Sequence, residues 1–154
     1  LQINRSNKEK GFQRDGRAPI PEKEVTSKVM SSNKAKDTKP ELLLRKALRA
    51  NGYVGYRLHY KKVPGRPDIA FVGKKLAIFV NGCFWHRCPH CDLPLPKSNT
   101  EWWKNKFDAN IARDKKKVEQ LEELGWRVLV VWECEVEKDQ IDLKLSEIEK
   151  ISIC

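Results

Sequence analysis

Four of the five cysteines, Cys83, Cys88, Cys91 and Cys134, constrain this chain more tightly than any of its hydrophobic patterns. Three form a Cys-x4-Cys-x2-Cys cluster within the Pro-containing stretch Gly82 to Lys97. The fourth follows an apolar run that ends at Trp132. If the four act together, the fold must carry that loop to the end of that run. The opening LQINRSNKEK lacks the apolar centre of a signal peptide, and in an intracellular chain such spacing reads as metal before disulfide. Four thiolates suit a closed tetrahedral Zn²⁺ site, which would staple loop to sheet and contribute folding energy directly. His90 is an alternative to one of the cysteines, and ordinary buried thiols are the plainer reading. Cys154 reads as free.

The elements around this cluster follow from periodicity. Pro40 fits the first turn of a helix over 40 to 51, with Leu43, Leu44, Ala47 and Leu48 at helical spacing and Asn51-Gly52 as its stop. Tyr53 to Tyr60 alternates in part, Pro64-Gly65-Arg66-Pro67 interrupts it, and Asp68 to Val72 and Leu76 to Val80 read as strands joined by a Gly73-Lys74 hairpin turn. Ser98-x-x-Glu101 predicts a capping box that opens a long helix ending before Gly125. Trp126 to Trp132 reads as a strand buried on both faces, and 140 to 150 as a weaker amphipathic helix. The order α-β-β-β-α-β-α predicts an α/β domain, a mixed sheet flanked by helices, with its last two hairpin strands antiparallel.

Charge points to an anionic partner. The 154 residues hold 31 Lys and Arg against 21 Asp and Glu, a net charge of +10. Residues 1 to 40 carry +5 of this with few apolar residues, which predicts a basic disordered leader over 1 to 23 and an N-terminal arm over 24 to 39 that orders on a polyanion. No run of about 18 apolar residues exists, so a membrane span is excluded and a cytoplasmic protein is expected.

Three further features carry chemistry. Asp68 opens a strand after Pro67, where a nuclease can hold Mg²⁺ against a phosphate, because a hard cation takes carboxylate oxygen. A second acid is missing near Val80, and on spacing alone Asp68 reads as a turn or cap residue as readily as a ligand. Gly82-Cys83-Phe84-Trp85-His86 sets two aromatics in a loop where burying both is difficult, which favours base stacking or insertion between base pairs. The plainer reading puts them in the core under the loop. His86 reads as a ligand, a structural donor or a general base, and the last leads beside a metal-phosphate site.

Pro64-Gly65-Arg66-Pro67-Asp68, Gly82-Cys83-Phe84-Trp85-His86, Gly125-Trp126-Arg127-Val128 and Val131-Trp132-Glu133-Cys134, in this order, resemble the very short patch repair (Vsr-type) DNA mismatch endonucleases. The resemblance runs from about Glu24 to Glu135. It implies a restriction-endonuclease-like catalytic domain over 40 to 154, a structural zinc, Mg²⁺-dependent nicking of one strand, and double-stranded DNA with a T:G mismatch left by deamination of 5-methylcytosine. A nick in one strand needs only a monomer, and the expected setting is the bacterial nucleoid, with a functional link to a cytosine-5 DNA methyltransferase and mismatch-repair proteins. Residue by residue, the resemblance makes Asp68 a Mg²⁺ ligand, Val80 a second ligand through its carbonyl, and His86 the catalytic histidine. Glu41 and Asp114 match acids used around metal-bound water. Phe84, Trp85 and Trp103 match intercalating aromatics, and Met30 matches a residue of the arm that reaches the minor groove. The zinc set becomes Cys83, Cys88, Cys91 and Cys134.

The long helix adds its own pattern. Trp103, Phe107, Asn110 and Asp114 are spaced 4, 3 and 4, so one face carries all four, and Asn110 joins the DNA-binding set. Lys104 and Lys106 lie near Trp103 as phosphate contacts. Lys115 to Lys117 read as a solvated face. Two rival functions share these features: a related endonuclease cutting matched DNA at a specific site, and a non-catalytic zinc-stapled DNA-binding module.

Overall fold

The structure, a computed structural model, describes residues 34–137 and 140–153. The leader, Met30 and most of the arm lie outside the described residues. Helix α1 (Lys39–Ala50) is followed by strands β1 (Arg57–Leu58), β2 (Ile69–Phe71) and β3 (Leu76–Asn81), a short helix α2 (Cys83–His86), and the long helix α3 (Thr100–Glu123). Strand β4 (Arg127–Trp132), a short α4 (Glu133–Glu137) and α5 (Ile141–Ile153) complete it. The strands form one mixed sheet in the order β1-β2-β3-β4, antiparallel except for the parallel β3–β4 pair. The expected mixed α/β order is present.

Alternation along the strands sorts the core into two layers. Ile69, Phe71, Leu76, Ile78, Leu129 and Val131 pack with Leu44 and Leu48 of α1 and Leu145 and Ile148 of α5. Ala70, Ala77, Phe79 and Val128 meet Leu121 and Trp126 on the other side. Each fully buried Leu or Ile contributes about 2 kcal/mol. Among the described residues no helix is long and apolar enough to cross a membrane.

Several sequence expectations change. β1 shrinks from an eight-residue segment to two residues, because Gly55 (φ 81°) and His59 (φ 47°) take left-handed backbone at either side of it. The β2–β3 hairpin turns through a 3₁₀ turn, Val72–Lys74, with Lys75 left-handed at φ 47°, and not through a two-residue Gly73-Lys74 turn. Helix α3 starts at Thr100, after Asn99, which is itself left-handed and makes no side-chain cap. β4 is an edge strand whose burial alternates. Leu129 and Val131 are buried, whereas Val130 and Trp132 face a cleft of about 360 Å³ against Ile111 and Val118 of α3.

Candidate active site

Asp68 stands immediately before β2, against the end of β3. Its Oδ2 accepts the Val80 N–H at 2.8 Å. Burial pushes the carboxyl up to about 6; the Val80 bond pulls the other way, and the Glu41 charge adds to the rise. Such a carboxylate is short of positive charge, which is the deficit a divalent cation fills. Val80, expected as a carbonyl ligand, therefore reaches Asp68 through its backbone amide.

Glu41 lies on the buried stripe of α1, at 3% exposure, and is tied down on every side. It accepts from Arg45 Nη2 at 2.9 Å, from the Asp37 N–H at 3.0 Å and from the Thr38 hydroxyl at 3.0 Å. Arg45, 4% exposed, also bonds Asp37 Oδ1 at 2.8 Å and lies 3.2 Å from His59 Nε2. His59 Nδ1 faces Asp68 Oδ1 at 3.9 Å. Arg45, Asp37 and His59 escaped the sequence reading. Arg45 left one signal, since it sits four residues after Glu41 on the face that buries Leu44 and Leu48.

His86, at the end of α2, holds Asp114 of α3: Nδ1 and Oδ2 are 2.5 Å apart. Burial opposes the charged form of Asp114, but the His86 bond and charge, with Lys117, outweigh it and hold the carboxyl below its usual range. Lys117 bonds Asp114 Oδ1 at 3.1 Å and lies 5.5 Å from the centre of the Phe79 ring, so it is part of the site and not of a solvated face. Its stem crosses the turn before Asp68 at Gly65 (φ +77°), where a Cβ would stand 2.8 Å from Lys117 Cγ. Only glycine allows that approach. Asn81, His86, Arg87 and Asp114 line the cleft beside Val130 and Trp132.

Cys83, Cys88, Cys91 and Cys134 converge, with all four sulfurs within 4.8 Å of one another. Cys88 and Cys134 Sγ are 3.7 Å apart, far beyond a disulfide and close to the edge of about 3.8 Å for a tetrahedron with Zn–S of about 2.3 Å. Burial pushes Cys83 up strongly and Cys134 up to about 11. Burial also opposes a Cys88 thiolate, but N–H bonds from His90 and Cys91 outweigh it and lower Cys88. Crowded thiols that mostly keep their protons become four thiolates only around a cation, so the donor set fits zinc. The His90 ring is outside this set and faces Glu135 Oε1 at 3.6 Å.

The aromatics form one cluster. Phe84 packs edge-on against Trp85, Trp103 and Phe107 at 5.2 to 5.5 Å between centroids. Phe84 and Trp85 are half-buried, whereas Trp103 is 8% exposed and Phe107 2%. Trp103 thus supports the other two from below. Asn110 is buried and donates Nδ2–H to the Trp85 carbonyl at 2.9 Å, while Arg87 covers the Phe107 ring at 4.7 Å and bonds the Leu93 carbonyl. Lys104 and Lys106 are exposed on the same helix.

Comparison with known proteins gives the family of the chain. The family profile described as DNA mismatch endonuclease Vsr matches residues 19–93. The type II nicking enzyme V.XorIIP of Xanthomonas oryzae pv. oryzae is 45% identical over 108 residues, 70% of this chain and 79% of that protein. V.NmeAIP of Neisseria meningitidis, also a type II nicking enzyme, is 43% identical over 113 residues, 73% and 80% of the two chains. The DNA mismatch endonuclease Vsr of Escherichia coli is 40% identical over 118 residues, 76% and 74%. The class is that of DNA endonucleases, hydrolases of the phosphodiester bond. Within it, this chain belongs to the Vsr family.

Proposed function

We propose that this endonuclease is Mg²⁺-dependent and nicks one strand 5′ to the T of a T:G mismatch, the lesion left by 5-methylcytosine deamination. The observation that carries the chemistry is Asp68, a half-buried carboxylate fixed by the Val80 N–H and lacking a full counter-charge. A DNA mismatch as substrate follows the name of the E. coli relative, and the T:G pair and its origin follow the family resemblance. Asp68 and the Val80 carbonyl would hold Mg²⁺, which when bound neutralises the scissile phosphate and stabilises charge on the leaving oxygen.

The protein's own groups do the rest. Asp114 accepts the Nδ1–H of His86, which leaves Nε2 to take a proton from the attacking water. The ionised Asp114 then steadies the imidazolium, and Lys117 keeps that carboxylate in place. Breaking the P–O3′ bond leaves a 5′ phosphate and a 3′ oxyanion, which takes a proton from solvent water to become the 3′ hydroxyl. Glu41 acts from a distance, through its charge on Asp68 and its hold on Arg45.

Phe84 and Trp85 wedge beside the mismatch, braced by Trp103 and Phe107, with Asn110 fixing the Trp85 backbone. Lys104 and Lys106 contact phosphates, and the arm with Met30 orders along the minor groove. Four cysteines bind zinc and complete a restriction-endonuclease-like domain. The enzyme works as a cytoplasmic monomer, functionally linked to a cytosine-5 methyltransferase and mismatch-repair proteins.

The test is a nicking assay with Mg²⁺ on end-labelled duplexes carrying T:G mismatches in varied contexts, beside matched controls and Asp68→Ala. One nick on the T strand, absent in the variant, is the expected result. Cutting of matched duplex would transfer the protein to site-specific cleavage, and Mg²⁺-independent cutting would remove the metal.

A further inference from the structure

His59 ends the short strand β1, and its left-handed backbone, φ 47°, costs a non-glycine residue about 1 kcal/mol. The bend is fixed by a bond from the His59 N–H to the Asp68 carbonyl at 3.1 Å. It sets the ring among three charged groups. Nε2 lies 3.2 Å from Arg45 Nη2 and 3.3 Å from Asp37 Oδ1, and Nδ1 lies 3.9 Å from Asp68 Oδ1. Arginine only donates. A neutral ring accepting from Arg45 at Nε2 carries its proton on Nδ1, and an imidazolium donates to Asp37 Oδ1 from Nε2 while its Nδ1–H faces Asp68. The remaining tautomer also donates to Asp37 Oδ1, but it alone sets a lone pair against the Asp68 carboxylate. Both favourable states therefore put an N–H on the Asp68 side.

Arg45 cannot swing away, because it is buried and paired with Asp37 and Glu41. The ligand atoms of Asp37, Glu41 and His59 lie close enough for a metal, yet the guanidinium already contacts all three. We propose that His59, locked by Arg45, is a positioning residue for Asp68. Val80 fixes Oδ2 and His59 faces Oδ1, so the carboxylate is oriented before a divalent cation arrives. This rests on the reading of Asp68 as a metal ligand.

The experiment measures Mn²⁺ binding to the full zinc-loaded chain by electron paramagnetic resonance of free Mn²⁺, without DNA. It compares the parent with His59→Ala, His59→Asn, His59→Gln and Asp68→Ala, each checked for a cooperative melt. His59→Ala should weaken Mn²⁺ binding about tenfold. His59→Asn, whose amide reaches the Nδ1 position, should recover most of it, and His59→Gln, whose amide reaches only the Nε2 position, should not. If His59→Ala fails to fold, the Asn and Gln pair decides. Unchanged affinity in His59→Ala, or recovery by Gln and not Asn, would overturn the proposal even where Asp68→Ala abolishes binding. Parent-like binding by Asp68→Ala would overturn the metal reading of Asp68 and the proposal with it.

Discussion

Asp114 Oδ2 lies 2.5 Å from His86 Nδ1, which joins the long helix to the short helix that also carries Cys83, Phe84 and Trp85. The couple fixes the ring from one nitrogen and leaves the other open, the atom that takes the proton in the proposed mechanism. Asp114→Asn can offer an amide N–H to Nδ1 and so favour the tautomer with the proton on Nε2, where the base needs a lone pair. Both Asp114→Asn and His86→Ala should lower the single-turnover nicking rate by about 100-fold or more. DNA affinity should stay within about twofold by fluorescence anisotropy. An affinity loss matching the rate loss would make the couple a binding element.

Asp68 predicts an inverted pH dependence for the metal-free protein. Its carboxyl rises from the model-compound value of 3.8 to about 6 in the fold, so its contribution to stability is complete below about 4 and is lost as pH climbs through about 6. Asp68→Asn keeps an acceptor for the Val80 N–H and removes the buried charge. In chelator of Mg²⁺ at pH 7.5, it should be the more stable protein, by at most about 3 kcal/mol. At pH 4 the two should converge. Paired urea melts at the two pH values check this, and a variant less stable than the parent at pH 7.5 would contradict it.

The cysteine cluster predicts one zinc per chain. Cys88→Ser should lower zinc content and melting temperature together, because the metal ties the loop after β3 to α4 and its binding free energy is folding free energy. Elemental analysis with thermal melts measures both. A parent that purifies without metal and melts identically to Cys88→Ser would refute the staple.

The sequence was informative where a rule is local. The cysteine spacing, the Pro-Gly-Arg-Pro-Asp turn and the 4, 3, 4 face of the long helix each predicted groups that the fold brings together. What it hid depends on pairing across the chain. His59 meets Arg45 and Asp68 only because β1 pairs with β2, with Leu58 opposite Ile69. The half-buried faces of Val130 and Trp132 follow from the cleft between β4 and α3, which no pattern within Trp126 to Trp132 encodes. The family resemblance made Trp103 an intercalating aromatic, while its spacing marks a face but not the depth of that face, which leaves the ring 8% exposed. Lys117 looked solvated because it sits in a run of three lysines, although it is only three residues from Asp114 on the same helix.

Asn110 gives a test of the proposed reading role of Phe84 and Trp85. Its side chain is buried, donates to the Trp85 carbonyl and accepts from Arg113. Asn110→Ala removes a hydrogen bond to a main-chain group at a half-buried tryptophan, a change worth about 1 kcal/mol in stability. It leaves Asp68, His86 and Asp114 intact, so cleavage of bound substrate should fall little. Preference for mismatched over matched duplex should fall more, because Trp85 is the less anchored of the aromatics once its carbonyl is released. Competition binding with T:G and T:A duplexes, read beside the single-turnover rate, checks this. Equal losses in both would mean that Asn110 supports the whole of α2, His86 included, and not the reading surface alone.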